Sequence, residues 1–245
     1  MNFICKMAWR DSRASRRRLT LYSLCIVLGV AALVAIGSFS VNLKESVQDQ
    51  AKELLGADLV VTSRQPFTTG VQAYLEGLGG ETAQEIGFSS MMVFPTANNA
   101  TRLVQVRAVE GQFPFYGEFL TKPLAVGSQL ADGGASVILE ETLLSQFNVK
   151  PGDKVKLGRS TLTVLGAVQK MPGESMAVTQ LAPRAYIALS RLSETGLANK
   201  GSLLRYKTAL KLPAASDPEV IVLAMKDEFA NQRLSFDTVE ERKRR

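Results

Sequence analysis

The feature that most constrains this chain is an uncharged stretch of 25 residues, Leu19 to Leu43, near its start. As a helix it would be about 37 Å long, more than the roughly 30 Å hydrocarbon core of a bilayer. A secretory signal has a shorter apolar region followed by a small-residue cleavage site, and the nearest candidate here, Ala35-Ile36-Gly37, comes late in the run. We therefore predict a transmembrane helix over residues 19–43 and disfavour a cleaved signal.

The charges on either side of this run predict its orientation. Arginine and lysine dominate the preceding residues, whereas the residues after Leu43 carry both signs. By the positive-inside rule the amino terminus is then cytoplasmic and the chain after about residue 45 lies outside. Apolar and basic side chains alternate in residues 1–18, which we interpret as a cytoplasmic basic amphipathic segment; a plain basic flank that fixes the topology is the alternative.

The helical pattern continues beyond the apolar run. No proline occurs between Leu19 and Leu55, and apolar residues fall near heptad spacing until Gly56 offers a left-handed cap. We predict an extracytoplasmic stalk over residues 44–56, and the apolar residues near heptad spacing are Leu43, directly before it, Val47 and Leu54. The alternative is that residues 44–55 are simply the first helix of the external domain.

Composition excludes several function classes. The formal net charge of +6 is concentrated in the first 18 residues and in residues 240–245, so the neutral body lacks the basic face that nucleic-acid binding needs. Histidine is absent and the two cysteines, Cys5 and Cys25, precede or lie within the apolar run, so the body has neither a zinc-binding nor a disulfide pattern. Neither GxSxG, a Walker loop nor HExxH occurs. We expect no catalytic residue, no metal site and no cofactor in this chain.

The remaining sequence alternates between strand and helix patterns and predicts an α+β fold. ADLVVTS reads as a strand, and TTGVQAYLEGLGG as a helix capped by Thr68 or Thr69. Two extended segments joined by ANNA follow, then a strand that runs into a helix, SVILEETLLSQF, and a hairpin, KPGDKVKLGRSTLTVLGAV. RAYIALSRL, LLRYKTALKL, the helix DPEVIVLAMKDEFA and a short RLSF complete the order. This order suggests one α+β layer interrupted by a β-rich insertion.

One loop is a candidate partner contact. QKMPGESMAVTQ, residues 169–180, places Met171, Pro172 and Met176 around a turn, where flexible apolar side chains suit a protein partner. The alternative is that these methionines pack into their own lobe.

The order of these segments resembles the FtsX/MacB-like ABC transporter permeases, and most of all those related to LolC and LolE. The motifs that carry the resemblance are LLGADLVVTSRQPF, VRAVEGQFPFYGEF, LAPRAYIALSRLSETGL and GSLLRYKTAL. They mark a family and a fold and include no catalytic site.

The resemblance implies a domain organisation. It implies a MacB-like periplasmic core domain with a porter-like α+β subdomain, residues 57–120 and 196–239, and an inserted β-rich, sabre-like subdomain, residues 121–195. Family members have four or more membrane helices, and we expect residues 240–245 to lead towards a second one, so that this chain is a fragment of a longer permease.

The resemblance also implies a function and partners. It implies a permease subunit in the bacterial inner membrane that couples ATP hydrolysis, by a cytoplasmic ATPase that binds the ATP, to movement of a periplasmic domain. Lipid, lipoprotein or other envelope compounds are the candidate cargo, and a second permease copy and a periplasmic protein are the other implied partners. The alternatives are a single-span, membrane-anchored binding or scaffold module and, less favoured, an anchored enzyme.

Overall fold

The computed structural model describes Met7 and residues 16–124, 126–171, 183–198, 203–213 and 216–244. The chain divides into two compact units, Met1–Asp49 and Gln50–Arg245.

The first unit contains most of helix α1, Arg16–Leu55, which is 40 residues long. Apolar side chains lie exposed all around it; Ile26, Leu33 and Phe39 are each more than two thirds exposed. A helix that is apolar on every side is typical of a membrane span, and Thr20–Leu55 is long and apolar enough to cross one. The predicted continuation of the helix without a break to Leu55 is confirmed.

The second unit is an α+β fold, as predicted. Its strands are β1 (Leu59–Ser63), β2 (Glu81–Phe94), β3 (Ala100–Glu110), β4 (Leu120–Lys122), β5 (Ser136–Glu140), β6 (Lys154–Leu157), β7 (Ser160–Lys170), β8 (Arg184–Ala188), β9 (Arg205–Lys211) and β10 (Ser235–Thr238). Its helices after α1 are α2 (Thr69–Gly77), α3 (Val126–Ala131), α4 (Glu141–Phe147), α5 (Pro218–Glu228) and α6 (Val239–Arg244). Single 3₁₀ turns lie at Pro95–Ala97, Leu189–Arg191 and Ser193–Thr195.

Local sequence signals account for most of these boundaries. The Thr68 hydroxyl accepts a hydrogen bond from the Val71 N–H and begins α2, and the Asp217 carboxylate caps α5 just before Pro218. Asn98 and Asn99 adopt positive φ in the turn between β2 and β3, a conformation that asparagine tolerates.

All ten strands belong to one sheet, in the order β10-β1-β9-β2-β3-β8-β5-β7-β4, and β6 bridges β2 and β7. Strand β1 is antiparallel to both of its neighbours, and Leu59 is in register with Thr238 of β10 and Leu210 of β9. Two pairs are parallel, β3 with β8 and β5 with β7.

Side chains of successive strand residues point to opposite faces of the sheet, and buried clusters form on both faces. On one face, Leu59 and Leu210 pack beneath α2 and α5, while Val137 and Leu139 join a larger cluster that contains β2, β3 and α4. On the opposite face, Val60 and Ala209 pack against the end of α1. Ile138 packs there beneath α3.

The strands β5, β6, β7 and β8 fall within the predicted insertion, residues 121–195. Three of them lie side by side at one end of the sheet with β4, and the sheet continues into the strands on either side of the insertion in sequence. The subdomain boundaries at 57–120, 121–195 and 196–239 remain a prediction.

Candidate functional site

The end of α1 is built into the second unit. In its last turn the side chains of Ala51 and Leu55 are each only 6% exposed. They form a buried cluster with Ala57, Val60, Ala209 and Val239, and Phe113 and Phe115 pack against it. Burial of a leucine side chain contributes about 2 to 3 kcal/mol, so this turn is fixed to the sheet by apolar packing. We call residues 51–58, with Tyr116 and Leu212, the joint.

Gly56 lies at the centre of the joint. Its φ is +71°, and its N–H donates to the Lys52 carbonyl at 2.8 Å, which ends the helix as the sequence predicted. Its own carbonyl accepts from the Phe115 N–H at 2.9 Å. A Cβ here would lie 3.0 Å from the Phe113 ring and 3.2 Å from Pro114. Both the backbone conformation and the close approach of the 113–116 segment therefore require glycine.

Asp58 ties the helix end to two other parts of the unit. It is 8% exposed, and its Oδ2 accepts hydrogen bonds from the Tyr116 hydroxyl at 2.8 Å and from the Leu212 N–H at 3.0 Å. Its Oδ1 lies 3.4 Å from the Lys52 Nζ, and that ammonium group lies 5.2 Å from the centre of the Tyr116 ring. A buried carboxylate is tolerated when its oxygens are paired in this way.

Tyr116 is held in its protonated form. Desolvation by burial, followed by the hydrogen bond to Asp58 and the charge of that carboxylate, raises the pKa of Tyr116 to about 12. The phenol therefore remains a hydrogen-bond donor at neutral pH. Lys52, Asp58 and Tyr116 thus connect the last helical turn, the start of β1 and the segment after β3.

The joint offers a mechanical connection between the end of α1 and the sheet. The Asp58 carboxylate is engaged in three interactions, and the described part of the chain holds no group of three or more metal-ligating side chains. What the arrangement can do is keep the end of a long helix attached to a sheet.

The structure places the predicted stalk residues on the surface of α1. Leu43, Val47 and Leu54 are 52%, 43% and 51% exposed. Leu43 and Val47 precede the joint, and Leu54 lies within it but points to the surface. The helical contacts of the joint come from Ala51, Lys52 and Leu55.

Of the predicted partner loop, residues 169–180, the structure describes only residues 169–171. Met171 is 9% exposed and packs with Leu130, Ile138 and Tyr186. Pro172 and Met176 lie outside the described residues, so a partner contact by this loop remains a prediction.

Sequence reasoning missed Asp58, Tyr116 and Lys52. An acidic residue directly between a glycine cap and the buried strand Leu59–Ser63 was a usable signal, because such a carboxylate must find partners. The sequence could not identify Tyr116 as the partner of Asp58, since the two residues are 58 positions apart in the chain.

Comparison with known proteins gives a consistent picture. A family model described as the MacB-like periplasmic core domain matches residues 19–228. The uncharacterized ABC transporter permease YbbP of Escherichia coli (strain K12) is 29% identical over 209 residues, which are 83% of this chain and 24% of the relative. The chain thus spans about a quarter of the length of that curated relative.

Solved structures with similar folds are more distant. The periplasmic region of MacB from Actinobacillus actinomycetemcomitans is 14% identical with a TM-score of 0.49, over 79% of this chain and 94% of that one. The extracellular domain of the noncanonic ABC-type transporter YknZ from Gram-positive bacteria is 10% identical with a TM-score of 0.45, over 74% and 98%.

Proposed function

Because this chain belongs to the family of MacB-like periplasmic core domains, we propose that it is a permease subunit of an ABC exporter or mechanotransmission complex. In this proposal a partner ATPase hydrolyses ATP in the cytoplasm, and the resulting movement reaches the second unit through α1. The observation that carries the proposal is the unbroken helix Arg16–Leu55, whose last turn is buried in the joint.

A continuous helix suits this role. A glycine-rich linker between span and domain would behave as a flexible coil and absorb a displacement, whereas a helix keeps a fixed rise per residue. Small movements can then become rearrangements of packed elements, because packed cores shift between discrete arrangements. The hydrogen bonds of Asp58 and the apolar burial of Leu55 support transfer of that movement to the sheet.

The proposal includes a location and partners. The basic residues before Thr20 support a cytoplasmic amino terminus in the bacterial inner membrane, with the second unit outside. The partners are a cytoplasmic ABC ATPase, a second permease copy and a periplasmic protein, and the cargo is a lipid, lipoprotein or other envelope compound. The comparison with YbbP, itself described as an ABC transporter permease, supports the ATPase and the membrane setting.

Substitution of Val47 by proline tests the transmission role. Proline removes one helical hydrogen bond and clashes with the carbonyl four residues earlier, which destabilises a helix interior by about 3 kcal/mol or more. We expect Val47→Pro, in the assembled transporter, to retain membrane insertion and ATPase activity but to lose ATP-dependent export.

Val47→Ala is the matched control, because it shortens the same side chain and leaves the helix intact. We expect Val47→Ala to export at the wild-type rate. Export by Val47→Pro at the wild-type rate would contradict the transmission role, and a wild-type chain that assembles with no ATPase would favour an anchored binding or scaffold module.

A further inference from the structure

A groove with a cavity volume of about 180 Å³ lies over the middle of the sheet, on β2, β3 and β9. The side chains that line it include Glu85, Ser89, Gln105, Arg107, Leu203 and Arg205. The groove shares no residue with the joint, so what it does is a question separate from the transmission role.

The strand registers bring two arginines to either side of a glycine. Gly87 of β2 is in register with Arg107 of β3 and with Arg205 of β9. Residues directly opposite each other in antiparallel strands share one face of the sheet. The two arginines therefore lie on either side of a position that has no side chain, and Ser89 and Gln105 form the next row on the same face.

Neither backbone conformation nor packing explains this glycine. The φ of Gly87 is not positive, so its backbone conformation is open to other residues. A Cβ here would meet the Glu85 carboxylate at 3.8 Å and two backbone oxygens at 4.0 Å, which are ordinary contacts. Glycine inside a strand weakens it, and such a position often marks the close approach of a ligand. Its effect here is to leave a position without a side chain between two arginines, beside the Glu85 carboxylate.

The charges of the groove leave it with a cationic excess. The Glu85 carboxylate lies 3.2 Å from Arg107 and 3.5 Å from Lys207. Lys207 also lies over the Phe113 ring, 4.5 Å from its centre. The side chain of Arg205 is exposed and makes no ion pair or hydrogen bond with the described residues. Glu85 thus orients Arg107, and the charge of Arg205 remains available.

The groove continues into an apolar pair. Met91 and Leu103 are in register, one row beyond Ser89 and Gln105 on the same face. They are 50% and 47% exposed, and Leu203, which lines the groove, is 95% exposed. Exposed apolar side chains next to a cationic site suit a ligand with an anionic group and an apolar portion.

We propose that this groove binds an anionic amphiphile. Its carboxylate or phosphate lies over Gly87 between Arg107 and Arg205, where guanidinium groups form paired, charge-assisted hydrogen bonds. The hydroxyl of Ser89 and the amide of Gln105 donate further hydrogen bonds, and the apolar portion covers Met91 and Leu103.

Equilibrium dialysis tests this proposal with the full chain in phosphatidylcholine nanodiscs. The probes are radiolabelled octanoate and octyl phosphate, and empty nanodiscs give the partition blank. We expect binding above the blank, weakened about tenfold by Arg205→Gln, because a charge-assisted contact is lost. Arg102→Gln, which removes the same charge from β3 on the opposite face, should bind as the wild type does.

Gly87→Val separates a binding role from a structural one. Valine is favoured in strands and fills this position, so we expect an unchanged or raised melting temperature together with loss of binding. Binding no greater than to empty nanodiscs would overturn the proposal. So would wild-type binding by both Arg205→Gln and Gly87→Val, or equal affinity for inorganic phosphate and octyl phosphate, since then the apolar portion has no role.

Discussion

Asp58 and Tyr116 determine how firmly the joint holds. The carboxylate accepts from a hydroxyl and a backbone N–H, and Lys52 balances its charge. Removing such an acceptor from a buried site leaves donors unsatisfied, at about 1 to 3 kcal/mol each. The joint therefore depends on both the proton of Tyr116 and the charge of Asp58.

Raising the pH should weaken this contact. The ordinary pKa of tyrosine is about 10, and that of folded Tyr116 is raised to about 12, so the folded chain keeps its proton where the unfolded chain loses it. The contribution of Tyr116 to stability is then complete below about pH 10 and is lost as the pH rises towards 12. Urea unfolding of the chain in detergent at pH 9 to 11.5 measures this loss.

Tyr116→Phe is the comparison for this measurement, because phenylalanine has no proton to lose. We expect the stability difference between wild type and Tyr116→Phe to shrink as the pH rises. A difference that stays constant across this range would contradict the hydrogen-bonded role of the phenol.

At the scale of single elements, sequence prediction succeeded where local chemistry decides. The helix to Leu55, its Gly56 cap and the Thr68 cap follow from residues a few positions apart. Strand β4 and helix α3 were missed because they are three and six residues long. Their sequence pattern is short, and α3 is fixed by burial of Val126 and Leu130 against other elements.

The cap that ends α1 should tolerate no side chain. Gly56→Ala places a Cβ on a residue with φ of +71° and 3.0 Å from Phe113, so we expect a loss of about 1 to 3 kcal/mol. Gly77→Ala is the matched control, since Gly77 has no positive φ and nothing within 4 Å of a Cβ. Alanine is the better helix former, so Gly77→Ala should be neutral or stabilising. Equal losses in urea unfolding would contradict the special role of Gly56.

At the scale of the whole molecule, local sequence patterns predict the fold class but not the order of the strands. The α+β class follows from alternating strand and helix patterns, but the strand order depends on registers between distant residues, such as Leu59 with Leu210. The groove shows the same limit. Gly87, Arg107 and Arg205 meet only because β2 lies between β3 and β9.

The boundary between the two units predicts where the chain can be truncated without loss of stability in the second unit. A chain that begins at Gln50 keeps Ala51 and Leu55 in their buried cluster, whereas one that begins at Ala57 exposes Val60 and Val239. We expect the shorter chain to be less stable by about 2 to 4 kcal/mol in urea unfolding. Equal stability of the two chains would show that the last turn of α1 is not part of the folded unit.

The register of β1 with β10 has a topological consequence. Leu59, where the chain enters the sheet after the joint, lies opposite Thr238, where it leaves the last strand and begins α6. Paired residues of antiparallel strands are about 5 Å apart. The chain between Leu59 and Thr238 therefore begins and ends at neighbouring points of the sheet. Insertions or deletions elsewhere in the sheet can therefore leave the distance between Leu59 and Thr238 unchanged.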